Sequence, residues 1–106
     1  MAHVLLIDDD PVQLELRRMI LEHAGHEVET AETADEAMER SAGCQVAVLD
    51  LIPHHFELSA ALPEGTRVIV LSGRDPEPGL RADTILKKPC PSQQLLAAIA
   101  SYGLPG

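Results

Sequence analysis

Four short apolar runs end on residues that can do chemistry together. Val4-Leu5-Leu6-Ile7 runs into Asp8-Asp9-Asp10, and Val46-Ala47-Val48-Leu49 into Asp50. Val68-Ile69-Val70-Leu71 runs into Ser72-Gly73, and the weaker Thr84-Ile85-Leu86 into Lys87-Lys88-Pro89. Carboxylates held close together repel and raise one another's pKa unless a cation sits among them. Oxygen-only donors suit Mg²⁺, which keeps several waters and favours sites that also take phosphate. A carboxylate that attacks phosphorus becomes an acyl phosphate, and the transfer needs little beyond positioning and charge neutralisation. Mg²⁺, a lysine ammonium and a hydroxyl would supply both. The constellation reads as a phosphoryl-accepting aspartate site.

These residues converge only if the runs are neighbouring strands. Continuous apolar runs of this length fit strands buried on both faces of a parallel sheet; Glu27-Val28-Glu29-Thr30 alternates and fits an edge. Helical patterns lie between the runs. Asp10-Pro11 is a cap followed by proline at the first helical position. From there Val12, Leu16, Met19, Ile20 and His23 share one face, expected to be the packed one, and Gly25 is placed to stop the helix. Thr33-Ala34-Asp35-Glu36 fits a capping box opening a helix to about Ala42. Phe56 to Leu62 allows about two helical turns, and Ser92 to Ser101, with Leu95, Leu96 and Ile99, reads as a last helix. The stretch 73–83 holds Pro76, Pro78 and Gly79 and is barely long enough for a crossover helix, so at most a turn near Gly79 is expected. This order predicts an α/β, doubly wound, five-stranded parallel sheet whose ligands bind at the carboxyl ends of the strands.

The 106 residues suit one domain, 1–106, and a 45% hydrophobic share argues against disorder. Eight basic against seventeen acidic residues give a net charge of −9, the wrong sign for a nucleic-acid backbone or an anionic membrane surface. No apolar run is long enough to span a bilayer, and nothing at the start reads as a signal peptide, so a cytoplasmic location is expected. Cys44 and Cys90 should lie at opposite ends of the sheet, too far apart to pair; Cys90, next to the site, is a candidate reactive thiol.

Taken in order, Val4 to Pro11, Val46 to Leu51, Val68 to Gly73 and Lys88-Pro89 resemble the receiver domain of two-component response regulators over essentially the whole chain. The resemblance implies a flavodoxin-like sheet of order 2-1-3-4-5 and a phosphoprotein charged by a histidine kinase or a histidine phosphotransfer protein in a phosphorelay. It implies Asp50 as phosphoacceptor and Asp8 and Asp9 as the pair holding Mg²⁺ with Asp50. The backbone carbonyl of Ile52 would be a further ligand, Ser72 the hydroxyl that moves to the phosphoryl oxygen, and Lys88 its lysine contact. The Lys88-Pro89 bond is expected to be cis.

Three departures accompany the resemblance. The loop after Asp50, Leu51-Ile52-Pro53-His54-His55, is short and lacks the usual Asp-Gly turn. The usual switch aromatic is Ile85, and the fourth crossover helix is shortened or absent. His54, His55 and Arg74 are candidate modulators near the site; a solvated histidine pair and a surface arginine are the plainer readings. Asp10 reads as a helix cap and Lys87 as a surface charge. The leading expectation is a phosphorylation-dependent signalling module, acting by protein–protein contact or as a phosphate shuttle or sink, with an unnamed target and homodimerisation left open. Its own catalysis would be self-phosphorylation and slow dephosphorylation at most. The alternative is a pseudo-receiver that binds without phosphate; a small-molecule phosphohydrolase lacks an identifiable substrate pocket. Pro105-Gly106 could begin a linker.

Overall fold

The computed structural model describes residues 2–104, so the suggested linker start at Pro105-Gly106 lies outside the described residues. The chain runs β1 (His3–Ile7), α1 (Pro11–His23), β2 (Glu27–Ala31), α2 (Ala34–Arg40), β3 (Val46–Asp50), α3 (His55–Ala61), β4 (Arg67–Ser72), β5 (Thr84–Lys87), α4 (Ser92–Ser101). All five strands form one parallel sheet in the order β2-β1-β3-β4-β5. The register sets Ile7 beside Leu49, Asp50 beside Leu71 and Ser72 beside Lys87, so the polar ends of β1, β3, β4 and β5 share one edge.

The interior strands β1, β3 and β4 are apolar on both faces because helices cover both. Leu6, Val48 and Ile69 pack with Leu14 and Leu21 of α1 and Leu95 and Ile99 of α4. Leu5, Leu49 and Val70 pack on the other side with Ala37 of α2 and Leu58 of α3. The outer strands are half-covered. That was expected for β2, but β5 was expected to be buried on both faces and alternates instead, with Ile85 47% exposed. As the last strand of the sheet it has a neighbour on one side only, and no helix of the β4–β5 connection covers it.

α1 begins as expected: Asp10 accepts hydrogen bonds from the backbone N–H groups of Val12 and Gln13, with Pro11 at the first helical position. It ends at Gly25, whose φ of 98° few other residues tolerate. Its packed face is a correction. Val12, Leu16, Met19 and Ile20 are exposed, and Leu14 and Leu21 on the opposite face are buried. Helical periodicity identifies an apolar stripe, not what covers it. Here the sheet takes the line Leu14–Arg17–Leu21, and Arg17 is drawn inward by a carboxylate at the end of β1.

Thr33 Oγ1 accepts from the Glu36 N–H at the start of α2, and Glu36 reaches back to the Glu32 N–H, one residue before the usual capping-box partner. No helix forms between β4 and β5; the segment runs irregularly to a turn at Pro78-Gly79, as its prolines predict. Arg81 fastens this segment to α3, its guanidinium donating to the carbonyls of Ser59, Leu62, Pro63, Glu64 and Thr66. Among the described residues no helix is long and apolar enough to cross a membrane.

Candidate functional site

The carboxyl edge of the sheet gathers Asp8, Asp50, Ser72 and Lys88. Asp50 closes β3, and its side chain is 14% exposed. Lys88 Nζ donates to both carboxylate oxygens at 2.7 Å each, and Oδ1 also accepts the Leu51 N–H at 2.8 Å. The Lys88-Pro89 peptide is cis, as expected. Asp8 is 2% exposed; Oδ1 accepts the Asp10 N–H at 3.0 Å and Oδ2 the Arg17 guanidinium at 2.8 Å. The two carboxyls lie close enough to drive each other's titration apart. Burial pushes Asp8 above the usual carboxylate range, the Asp10 N–H opposes this, and the neighbouring Asp50 adds to it. Burial also acts upward on Asp50, but Lys88, Asp8 and the Leu51 N–H together hold it below the usual range. Asp50 is therefore the more readily ionised of the two, and the ionised form is the one a nucleophilic carboxylate needs.

The other expected residues stand differently. Asp9 is exposed and borders a separate cleft with Glu32, Ile52 and His54. The Ile52 carbonyl already accepts the His55 N–H at 3.1 Å and His55 Nδ1 at 2.9 Å. Ser72 is buried, and its hydroxyl donates to the Arg74 carbonyl and accepts the Arg74 N–H at 3.1 Å. Neither histidine covers Asp50. His54 is exposed, 3.5 Å from Glu57, and His55 is buried with Nε2 2.8 Å from Glu77. The Arg74 side chain is exposed and approaches Glu77 at 3.5 Å, and Lys87 pairs with Asp75 on the surface. Burial pushes the Cys90 thiol up, the wrong direction for a reactive thiolate, and both cysteines are free.

Two residues escape the sequence motifs. Arg17 lies nine positions after Asp8, on the α1 line between Leu14 and Leu21; an arginine on that line needs a buried anion, which was the available signal. Glu77 anchors His55 across 22 positions and has no local signal.

Among the described residues, no three His, Cys, Asp or Glu side chains are already gathered as a metal cage. The donor chemistry nevertheless fits a hard divalent cation: two converging carboxylates, one of them buried with a raised pKa, and a third carboxylate on the next residue.

No protein-family profile matches the sequence, and no curated protein is similar enough to match. Solved structures do match. A CheY-like response regulator receiver domain protein from Methanospirillum hungatei JF-1 aligns at 28% identity and a TM-score of 0.86, covering 96% of this chain and 93% of that one. This chain has the CheY-like receiver-domain fold. Chemotaxis protein CheY4 of Vibrio cholerae aligns at 27% identity and TM-score 0.84, over 95% of this chain and 98% of its own. At 22% identity and TM-score 0.82, covering 95% of this chain and 98% of that one, the Thermotoga maritima response regulator TrrA shares the fold; its structure is a complex with Mg²⁺ and beryllofluoride. This chain shares the five-stranded sheet and has no helix between β4 and β5.

Proposed function

We propose that this receiver domain, residues 1–106, takes a phosphoryl group from a phosphohistidine onto Asp50 with Mg²⁺, and signals in the cytoplasm through protein contacts. The observation that carries the reading is Asp50, with both oxygens on Lys88 and its ionisation favoured over Asp8. In the transfer an Asp50 oxygen forms a bond to phosphorus as the phosphorus–nitrogen bond of the donor histidine breaks, and the electron pair returns to the imidazole. Mg²⁺, when bound, would neutralise phosphoryl oxygens; Asp8, Asp9 and Asp50 would hold it, with the Ile52 carbonyl oxygen once one of its two hydrogen bonds from His55 is released. Lys88 shifts from the carboxylate to a phosphoryl oxygen, and Ser72 turns from Arg74 to another. The donor must press against this edge. The exposed Leu16 and Ile20 flank a cleft of about 660 Å³ with Lys88, Pro89 and Cys90, an apolar approach suited to a histidine-bearing helix of a kinase or phosphotransfer protein.

The test is incubation with Mg²⁺ and phosphoramidate followed by intact-mass measurement. One phosphoryl adduct is expected on the wild type and none on Asp50→Ala. No adduct on the wild type, or an equal one on the variant, would overturn the reading. Two observations favour a second reading, a phosphate-independent pseudo-receiver: the switch position is the exposed Ile85, and each carboxylate already has a side-chain cation. Failure to bind Mg²⁺ would select it.

A further inference from the structure

We infer that Arg17 is a resident cation of the acidic pocket, competing with Mg²⁺ for Asp8 and thereby setting the pocket's affinity for the ion. The inference rests on the Mg²⁺ site proposed above. Both Asp8 oxygens are engaged, Oδ1 by the Asp10 N–H and Oδ2 by Arg17 Nη1 at 2.8 Å. The Arg17 side chain is only 18% exposed and the Asp8 side chain 3%, so water screens the pair little. Arg17 sits on the α1 face that packs against the sheet, where an aliphatic residue would serve the core better; the contact with Asp8 is what places a charge there.

The pocket therefore carries two side-chain cations with different employment. Lys88 holds Asp50, the oxygen that would receive phosphorus, and has a second use on the phosphoryl group. Arg17 holds Asp8, which has no part in the transfer other than gripping the metal. Asp8 and Asp50 together carry two negative charges, already balanced by Arg17 and Lys88. A divalent cation added beside them meets both positive charges at short range, and the bond that can be given up without loss to the chemistry is Arg17–Asp8. The guanidinium has somewhere to go: Arg17 lines the same cleft as Leu16, Ile20, Lys88 and Cys90. In that account the arginine keeps two carboxyls tolerable side by side and yields when Mg²⁺ arrives.

A merely structural Arg17 makes the opposite prediction, since its loss would loosen the pocket and weaken Mg²⁺ binding. The experiment is calorimetric titration of MgCl₂ into wild type, Arg17→Met and Arg17→Lys, with folding checked by circular dichroism. Removing one positive charge from beside the metal should tighten binding roughly tenfold in Arg17→Met. Arg17→Lys, shorter and without the planar fork, should fall between. Should Arg17→Met fail to fold, Arg17→Lys decides alone: tighter binding than wild type supports the inference, and equal or weaker binding overturns it. Wild type that binds Mg²⁺ beside folded variants that bind no tighter overturns the role of Arg17 and leaves the metal site standing. Absence of Mg²⁺ binding in all three overturns the metal site and the inference with it.

Discussion

His54 shows how one side chain can carry a turn it is badly suited to. The short loop after Asp50 bends at His54 with φ 67°, the left-handed region where a side chain costs roughly 1 kcal/mol. The residue is exposed and makes no cap hydrogen bond to α3. His54→Gly should therefore raise stability by about 0.5–1 kcal/mol in chemical denaturation, with phosphorylation unchanged. A loss of stability would show that the His54–Glu57 contact at 3.5 Å outweighs the backbone strain. His55 next to it is employed quite differently. Its nitrogens face the Ile52 carbonyl and the Glu77 carboxylate, both acceptors, so it ties the loop after Asp50 to the segment between β4 and β5. Adjacent and identical in sequence, the two histidines differ entirely in setting, and nothing in the sequence separates them.

At the scale of elements, the segment from Gly73 to Asp83 is held by polar contacts in place of a helix. Arg81 is the main one, its single guanidinium capping five carbonyls where α3 ends and β4 begins. Arg81→Met keeps the aliphatic stem and orphans those carbonyls, and should lower stability by about 2–3 kcal/mol. A change below about 0.5 kcal/mol would mean water replaces the guanidinium without cost. Elements with a local signature were legible in the sequence: the strand runs, the Asp10-Pro11 and Thr33 caps, the bounds of α4, and the missing helix after two prolines. Their carboxyl ends placed Asp8, Asp50, Ser72 and Lys88 on one edge. What stayed hidden depends on partners distant in sequence. The stripe on α1 is real but faces outward, Arg17 meets Asp8 only after α1 folds back, and β5 is exposed because nothing lies beyond it.

For the whole molecule, the net charge of −9 sits beside an exposed apolar stripe of Val12, Leu16, Met19 and Ile20, a surface with more reason to meet a protein than a nucleic acid. Global stability should also carry a pH signature from the far end of the sheet. His26 Nδ1 accepts the Ala2 N–H at 3.0 Å, and burial pushes the ring below its ordinary value of 6.5. A protonated ring cannot accept that bond. As pH falls through 6.5 the unfolded chain takes up the proton first. The contribution is thus complete above that pH and is lost as pH falls toward the folded value. Melting temperature should decline over this window in the wild type and decline less in His26→Gln, whose amide oxygen can still accept; parallel curves would exclude the histidine as the cause.

Under the proposed function phosphorus is received at Asp50 and nowhere else. Borohydride reduces an acyl phosphate to an alcohol, so treatment after phosphorylation converts the acceptor aspartate to homoserine, and peptide sequencing by mass reads its position directly. Homoserine is expected at residue 50, dependent on Mg²⁺ and strongly reduced in Lys88→Met. Homoserine at Asp8 or Asp9, or none at any position under conditions that phosphorylate another receiver domain, would contradict it.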